Sequence, residues 1–245
     1  MRTTLNDVAE ARLSATVVLT REDAGIPEIL MLRRCAEGSF GNTFVFPGGT
    51  LESADACVHD ACHGISADKA NALLQASNGL DYYSAAIREL FEETGVLLAK
   101  GDLSGDQLDS ARQRLNEGGI DWQELIAENS LRLQCDQLKY FSFWITPDSL
   151  QKRYSTRFFI ARIPAEQEAS HCGIELTDST WMPAKELLLE SRADRMSMQF
   201  PTLSTIKNLA QHETLDAMLE WCSLREQSGV PCIYPKMVDG RPVLR

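Results

Sequence analysis

The sequence predicts a mixed α/β domain with a helical addition at its C-terminal end. Short segments rich in β-branched and aromatic residues, such as "SATVVLT" (14–20) and "RFFIARI" (157–163), predict strands. Longer segments with apolar residues at helical spacing predict amphipathic helices between and after them. No internal repeat or clear linker divides the 245 residues, so we expect 1–245 to form a single domain.

The first half of the chain predicts three strands ahead of its longest helix. Residues 14–20 and 28–33 flank the polar turn "REDAGIP", and "TFVFPGG" (43–49) is a short strand that stops at Pro-Gly-Gly. Residues 53–80 are rich in alanine and predict one or two short helices.

The second half continues the mixture and then becomes mainly helical. We expect helices at 104–117 and 121–129, strands at 138–146 and 157–163, and helices around 184–190 and 202–224. Residues 184–245 therefore form a mainly helical C-terminal extension.

Composition excludes several functional classes. A net charge of −11 argues against a nucleic-acid surface, which needs clustered Lys and Arg. No run of about 18 apolar residues predicts a membrane span. The 7 cysteines are an odd number in a chain whose first residues do not resemble a secretory signal, which favours free thiols over disulfides. We expect a cytoplasmic protein.

The helix predicted over about 82–94 carries an unusual charge pattern. Asp81 is a suitable N-cap for this helix and Gly95 a suitable stop. Glu89, Glu92 and Glu93 share one face, where like charges repel by about 0.2–0.5 kcal/mol per pair. The opposite face is apolar and consists of Tyr83, Ile87, Leu90, Phe91 and Thr94. Either water screens the acidic face or a cation binds it.

The segment upstream favours the cation. "FVFPGGTLESAD" supplies a strand, a tight turn and the acidic residue Asp55. Backbone carbonyls of such a turn, together with helix carboxylates, form the all-oxygen ligand set that Mg²⁺ prefers.

These residues resemble the signature of the Nudix hydrolase family, Gly-x5-Glu-x7-Arg-Glu-U-x-Glu-Glu-x-Gly-U, where U is aliphatic. "RELFEETGV" (88–96) matches every fixed position of its second half, and Gly49 matches its first glycine. The sequence departs from the signature twice. Asp55 stands where the signature has Glu, and 32 residues separate Asp55 from Arg88 where the signature has seven. We expect 56–81 to be a surface insert within this motif, and Asp55 to matter less than Glu89.

The split motif and "FWITP…YSTRFFIA" resemble one subgroup of the family, that of the mammalian peroxisomal coenzyme A diphosphatase. The resemblance implies an α/β/α sandwich with a mixed sheet and hydrolysis of a nucleoside diphosphate linked to another moiety. Coenzyme A or acyl-CoA would give 3′,5′-ADP and a 4′-phosphopantetheine. The alternatives are a Nudix hydrolase for ADP-ribose, NADH or dinucleoside polyphosphates, and a catalytically silent nucleotide-binding module. A silent module would be expected to lose one of the glutamates.

The resemblance also implies roles for individual residues. Glu92 and Glu93 would bind Mg²⁺ or Mn²⁺ together with the carbonyl of Gly48, while Glu89 would be a ligand or the general base. Arg88 would orient the glutamates. The base could instead lie on the later loop "PAEQEASHCGIEL", which offers Glu166, Glu168 and Glu175.

Candidate substrate contacts are less specific. Gly49 lies in the Pro-Gly-Gly turn, and Arg34 follows the second strand beside Arg33. Arg153 and Arg157, with Lys152, form a local basic stretch that could meet an extra nucleotide phosphate. A solvated strand end explains Arg33 and Arg34 equally well, and a basic stretch of this kind is usually a solvated turn. The partner is thus a small nucleotide, and a homodimer is possible.

The segment "CVHDACH" (57–63) brings two cysteines and two histidines close together in sequence. A helix could not present all four on one face, so buried free thiols are favoured over a zinc site.

Overall fold

The computed structural model describes residues 9–35, 41–173 and 176–244. The strands, in chain order, are β1 (Arg12–Asp23), β2 (Ile26–Arg34), β3 (Phe44–Val45), β4 (Gly48–Thr50), β5 (Cys62–His63), β6 (Ala99–Lys100), β7 (Arg132–Gln134), β8 (Lys139–Ile145), β9 (Tyr154–Arg162), β10 (Leu176–Pro183), β11 (Cys232–Ile233), β12 (Lys236–Val238) and β13 (Arg241–Val243). The α-helices are α1 (Ser53–Ala56), α2 (Ala67–Leu74), α3 (Gly79–Thr94), α4 (Asp106–Asn116), α5 (Trp122–Glu128), α6 (Ala184–Arg192), α7 (Phe200–Leu209) and α8 (Leu215–Ser228).

A mixed sheet forms the centre of the fold. Its strand order is β10-β2-β1-β9-β8-β11, with β3 added to β2 and β4 added to β1. The β1–β9 and β8–β11 pairs are parallel and the remaining pairs antiparallel. The turn between β1 and β2 is only Ala24-Gly25, both at positive φ, as tight hairpins require. The polar segment 21–27 is therefore mostly strand, not the longer turn that the sequence predicted.

Helices cover both faces of this sheet, which confirms the predicted α/β/α sandwich. Alternate β1 residues face opposite sides because the side-chain period of a strand is two. Ala15, Val17 and Leu19 join the core beneath α3, whereas Val18 joins the core beneath α6, α7 and α8. Both cores are apolar and fully enclosed.

The inserted segment 56–81 is more integrated than a surface excursion. Val58, Ala70 and Leu74 are buried in the core beneath α3. β5 pairs with β7 in a second sheet of order β5-β7-β6. The insert also supplies the first turn of α3, which begins at Gly79 instead of near 82, with Asn78 instead of Asp81 at the N-cap.

The C-terminal part contains helices, as predicted, but also strands. The helix predicted at 202–224 is two helices, α7 and α8, because a non-helical segment separates Ala210 from Thr214. The Thr214 side chain caps the start of α8. β10 was not predicted, since half of the residues in "LTDSTWMP" are polar and they do not alternate with the apolar ones, yet it pairs with β2 along its length. Within the described residues, no helix has the length and apolarity needed to cross a membrane.

Candidate functional site

Helix α3 presents its glutamates to a cleft. Gly95 ends the helix in the left-handed conformation (φ 76°), as the sequence predicted. The predicted apolar face is fully buried. The acidic face is not solvated, however. The Glu89 and Glu92 side chains are 13% and 24% exposed, and Glu93 is buried.

Arg88 lies at the centre of the acidic residues and is itself buried, at 2% exposure. Its Nη1 donates to Glu89 Oε1 at 3.0 Å and to Glu92 Oε2 at 3.2 Å. Its Nη2 donates to the Thr50 carbonyl at 2.9 Å. Arg88 thus connects two glutamates of α3 to strand β4, which supports the predicted orienting role.

Asp55 is the buried counter-ion of Arg88. It is fully buried, and its carboxylate accepts from Arg88 Nε at 3.2 Å and Nη2 at 3.1 Å. The Ser84 hydroxyl donates to the same carboxylate at 2.9 Å and in turn accepts from Trp122 Nε1 at 3.0 Å. Asp55 therefore lies beside α3 despite the long insert. Although its side chain is shorter than that of the Glu in the signature, both carboxylate oxygens accept hydrogen bonds.

Strand β4 brings backbone atoms to the same place. The Pro47 carbonyl accepts from Val17, and Leu51 N–H donates to Leu13. The N–H and C=O groups of successive strand residues point in alternating directions, so those of Gly48 and Thr50 point away from β1. The Gly48 N–H donates to Glu93 Oε2 at 2.8 Å.

Two glycines are required by close approach. A Cβ on Gly48, which has φ 151°, would overlap the Ala15 carbonyl, and a Cβ on Gly49 would overlap the Glu89 carboxylate. Both overlaps involve atoms that the site itself holds in place.

Burial raises the pKa of all three glutamates. Burial is the main cause of the rise at Glu92, whose pKa reaches about 7; Arg88 opposes it and Glu89 adds to it. Burial likewise raises the pKa of Glu89, again opposed by Arg88. The pKa of Glu93 is raised well above its usual value, by burial and by Glu89. Arg88 and Arg34 therefore compensate only part of the negative charge that the three ionised glutamates would carry.

The donor atoms fit a hard divalent cation in chemistry. Three carboxylates and a backbone carbonyl are oxygen donors, which Mg²⁺ and Mn²⁺ prefer. Within 9–35, 41–173 and 176–244, no three acidic, His or Cys side chains already converge as ligands. The reason is visible in the hydrogen bonds, because Arg88 holds Glu89 and Glu92 while Gly48 N–H holds Glu93.

The cleft in front of the glutamates encloses about 850 Å³. One wall carries the glutamates with Arg34, Gly48 and Gly49. A second wall comes from α4, α5 and their connection, and a third from β1 and β9. The residues of these two walls are Leu115, Asn116, Ile120, Asp121 and Trp122, and Arg12, Ser14, Thr16, Tyr154 and Thr156. The predicted contacts Arg34 and Gly49 thus lie in the cleft, and Arg34 lowers the pKa of Glu93.

Arg153 and Arg157 do not line the cleft, which corrects the expectation that they contact substrate. Arg153 is buried and donates to the carbonyls of Ala9 and Thr146. Arg157 donates to the Leu74 carbonyl at 2.9 Å and stacks on Phe143 with its guanidinium 3.4 Å from the ring centroid. Both guanidinium groups are therefore occupied within the fold.

The loop proposed to carry the general base is attached beside α3 through Gln167, and its two described glutamates do not line the cleft. Gln167 brackets the backbone of Leu97 with two hydrogen bonds of 2.8 and 3.0 Å. Glu166 and Glu168 are exposed and do not line the cleft. Glu175 lies outside the described residues. Glu89 is the candidate base that the structure places in the cleft.

Sequence reasoning missed two groups of residues near the site. Arg112 Nε and Asn116 Nδ2 both donate to the Glu92 carbonyl, at 3.0 and 3.1 Å, and so fix the end of α3. Arg12, Tyr154 and their neighbours form a cleft wall. The alternation of polar residues along β1 was the available signal for this wall.

The cysteine and histidine cluster does not form a metal site within the described residues. Cys57 is exposed, while His59 Nε2 lies 2.6 Å from Asp81 Oδ1. The cysteines that the structure describes are free thiols.

Comparison with known proteins agrees with this geometry. "Putative nudix hydrolase 7" of Caenorhabditis elegans is 25% identical over 84% of this chain and 62% of its own length. "Acyl-coenzyme A diphosphatase NUDT19" of Xenopus laevis is 25% identical over 82% of this chain and 64% of its own length. The chain thus spans less than two thirds of these curated relatives. Among solved structures, a NUDIX hydrolase from Alicyclobacillus acidocaldarius superposes with a TM-score of 0.70 at 24% identity, covering 86% of this chain and 96% of that one.

A family model describes the stretch that contains the whole site. Residues 10–203 match the model of the NUDIX domain, which includes the glutamate helix, β4 and both walls of the cleft. The signature that the sequence resembles, the sandwich fold and this match agree, and the chain belongs to the Nudix family.

Proposed function

We propose that this protein hydrolyses a nucleoside diphosphate linked to another moiety, with the help of Mg²⁺ or Mn²⁺. The observation that carries the proposal is that Glu89, Glu92 and Glu93 line one wall of an 850 Å³ cleft, where Arg88 holds the first two and the Gly48 N–H holds the third. Three ionised carboxylates on one wall of the cleft would repel a polyanionic substrate unless positive charge is added. A silent binding module would gain nothing from keeping all three.

Each residue of the site has a defined task in this proposal. Glu89, Glu92 and Glu93, with the Gly48 carbonyl, would hold the metal, which would acidify a bound water and offset phosphoryl charge. Arg88 fixes the side-chain conformations of Glu89 and Glu92 through the hydrogen bonds described above. Loss of this type of support typically lowers metal affinity or activity by about 10–100-fold. Arg34 neutralises diphosphate oxygens from the wall beside Gly48.

Glu89 would accept the proton of the attacking water. Its carboxylate lies in the cleft, and burial raises its pKa above the usual value of a glutamate. A general base is more effective when its pKa lies closer to the working pH. Its contact with Gly49 keeps it facing the backbone of β4.

We propose coenzyme A and its acyl esters as the substrates. Support comes from the split motif and from the similarity to a relative named as an acyl-coenzyme A diphosphatase. A cleft of about 850 Å³ is at the large end of the usual range for small-molecule and cofactor sites. Cleavage would give 3′,5′-ADP and a 4′-phosphopantetheine. The cytoplasmic location and the homodimer stay predictions.

The test is a hydrolysis screen in which both products are resolved. Coenzyme A, acetyl-CoA, ADP-ribose, NADH and a dinucleoside polyphosphate would be compared with Mg²⁺ and with Mn²⁺. We expect the highest kcat/KM for the coenzyme A compounds, and no turnover with a chelator present. A higher kcat/KM for ADP-ribose would refute coenzyme A as the substrate but would leave the proposed diphosphatase activity in place. No turnover of any compound would favour a silent module.

A further inference from the structure

Part of the cleft lies beyond the reach of the glutamates. Its floor consists of Arg12, Ser14 and Thr16 on β1 and Tyr154 and Thr156 on β9, which we call the strand floor. These side chains share one face because alternate residues of a strand do so. The parallel register sets Arg12 beside Tyr154 and Ser14 beside Thr156. The hydroxyl oxygens of Ser14 and Thr156 are 2.7 Å apart. The strand floor is therefore polar and internally ordered.

Arg12 occupies the far end of this floor. Thr16 lies opposite Gly48 in the β1–β4 pairing, so the strand floor begins next to the proposed metal ligands. Arg12 is four residues earlier, which is about 13 Å along a strand. A diphosphate held at Gly48 and Arg34 would thus not be the group that meets Arg12. Any anion bound by Arg12 is a separate one.

Arg12 is available to bind an anion in the cleft, whereas Arg88, Arg153 and Arg157 already bind groups of the protein itself. Arg88 is buried among carboxylates, and Arg153 and Arg157 are engaged within the fold. Arg12 is exposed in the cleft and has no ion-pair partner among the residues that the structure describes. An isolated exposed arginine at the start of a strand would indicate only a solvated residue. Here Arg12 continues a row of ordered polar side chains that starts at the catalytic wall.

We propose that the strand floor binds the nucleoside end of the substrate and that Arg12 binds a phosphate additional to the diphosphate. This inference rests on the proposed function. In coenzyme A the additional group is the 3′-phosphate, which ADP-ribose lacks. Guanidinium and phosphate form charge-assisted, often bidentate hydrogen bonds. Arg12 thereby takes the recognition role that the sequence suggested for Arg153 and Arg157, and the aromatic ring of Tyr154 lies beside it.

The kinetic test compares coenzyme A with dephospho-coenzyme A at one metal concentration. Arg12→Gln should lower kcat/KM for coenzyme A by about tenfold or more and leave dephospho-coenzyme A within about twofold. Arg12→Lys should restore part of the preference because it keeps the charge. Arg33→Gln is the matched control, since Arg33 is an exposed strand arginine that does not line the cleft. Equal effects of Arg12→Gln on both substrates, or none, would overturn the proposal.

A binding experiment separates this inference from the choice of substrate. Protein saturated with Mg²⁺ would be titrated calorimetrically with 3′,5′-ADP and with 5′-AMP, neither of which contains a diphosphate bond to hydrolyse. Wild type should bind 3′,5′-ADP about tenfold more tightly, and Arg12→Gln should remove the difference. If wild type does not hydrolyse coenzyme A but shows this preference, the substrate assignment fails and the role of Arg12 stands. If wild type shows no preference, or Arg12→Gln retains it, Arg12 does not bind the extra phosphate.

Discussion

Replacing Asp55 by Asn should destabilise the protein strongly, because it would leave the buried Arg88 guanidinium without the fully buried carboxylate that it contacts through two nitrogens. Asp55 is fully buried and Arg88 is 2% exposed, so water cannot replace the lost charge. Asn keeps the shape, but its amide nitrogen would replace an oxygen that accepts from Arg88 and from a second donor, so a contact between donors adds to the loss of charge. Removing one partner of a buried ion pair typically costs about 3–5 kcal/mol.

The cost translates into a measurable change of melting temperature. For a chain of 150–250 residues, 1 kcal/mol corresponds to about 2–4 °C. We expect Asp55→Asn to lower Tm by about 6 °C or more in thermal unfolding followed by circular dichroism. Glu89 and Glu92 still contact Arg88 and offset part of the lost charge, so the lower end of the range is the better estimate.

Two further variants make the result interpretable. Glu128→Gln removes a carboxylate whose pair with Arg114 is half-exposed at both ends, and should cost less than about 1 kcal/mol. Glu89→Gln should abolish activity while leaving Tm unchanged or higher, because it relieves repulsion among the glutamates. If Asp55→Asn melts within about 2 °C of wild type, Asp55 is not the buried counter-ion on which the Arg88 geometry depends.

Three other predictions concern metal, pH and substrate. Glu92→Gln and Glu93→Gln should each nearly abolish hydrolysis without lowering Tm; near wild-type turnover of either variant at saturating Mg²⁺ would contradict the ligand assignment. The pKa of Glu92 rises to about 7 on folding, so folding binds protons, and the contribution of this residue to stability falls as pH rises from about 4.5 through 7. Added Mg²⁺ should therefore raise Tm more at pH 8 than at pH 5.5, and an equal rise in a thermal-shift assay would count against a metal bound to this cluster. Arg34→Gln should raise KM for the diphosphate substrate several-fold, whereas Arg157→Gln should lower Tm and leave KM of the folded enzyme unchanged; the opposite pattern would restore Arg157 as a substrate contact.

Features that depend on neighbouring residues in the chain were predictable. The apolar face of α3, its end at Gly95 and the grouping of Glu89 with Glu92 and Glu93 follow from helical periodicity and from the freedom of glycine at positive φ. The start of α3 was less predictable, because the Asn71 side chain from the insert accepts from Gly79 N–H and so extends the helix by a turn.

The roles of individual charged residues depended on the tertiary structure. Asp55 looked like a weakened substitute for Glu, but its burial beside Arg88 depends on residues 29 to 33 positions away. Sequence alone could not tell which side of β9 faces the cleft, since moving by one residue reverses the face of a strand. Tyr154 and Thr156 consequently line the cleft, while Arg157 packs on Phe143 on the other side.

The sequence by itself determined that three glutamates share one helix face above a Pro-Gly-Gly turn, because helical spacing and turn chemistry act over a few residues. The tertiary structure decided which arginine side chains lie in the cleft with these glutamates. Pairing β1 with β9 brings Arg12 next to Tyr154 across 142 positions, and folding of the insert supplies the Leu74 carbonyl that holds Arg157 away from the cleft. Such contacts depend on strand register and burial, which no local pattern encodes.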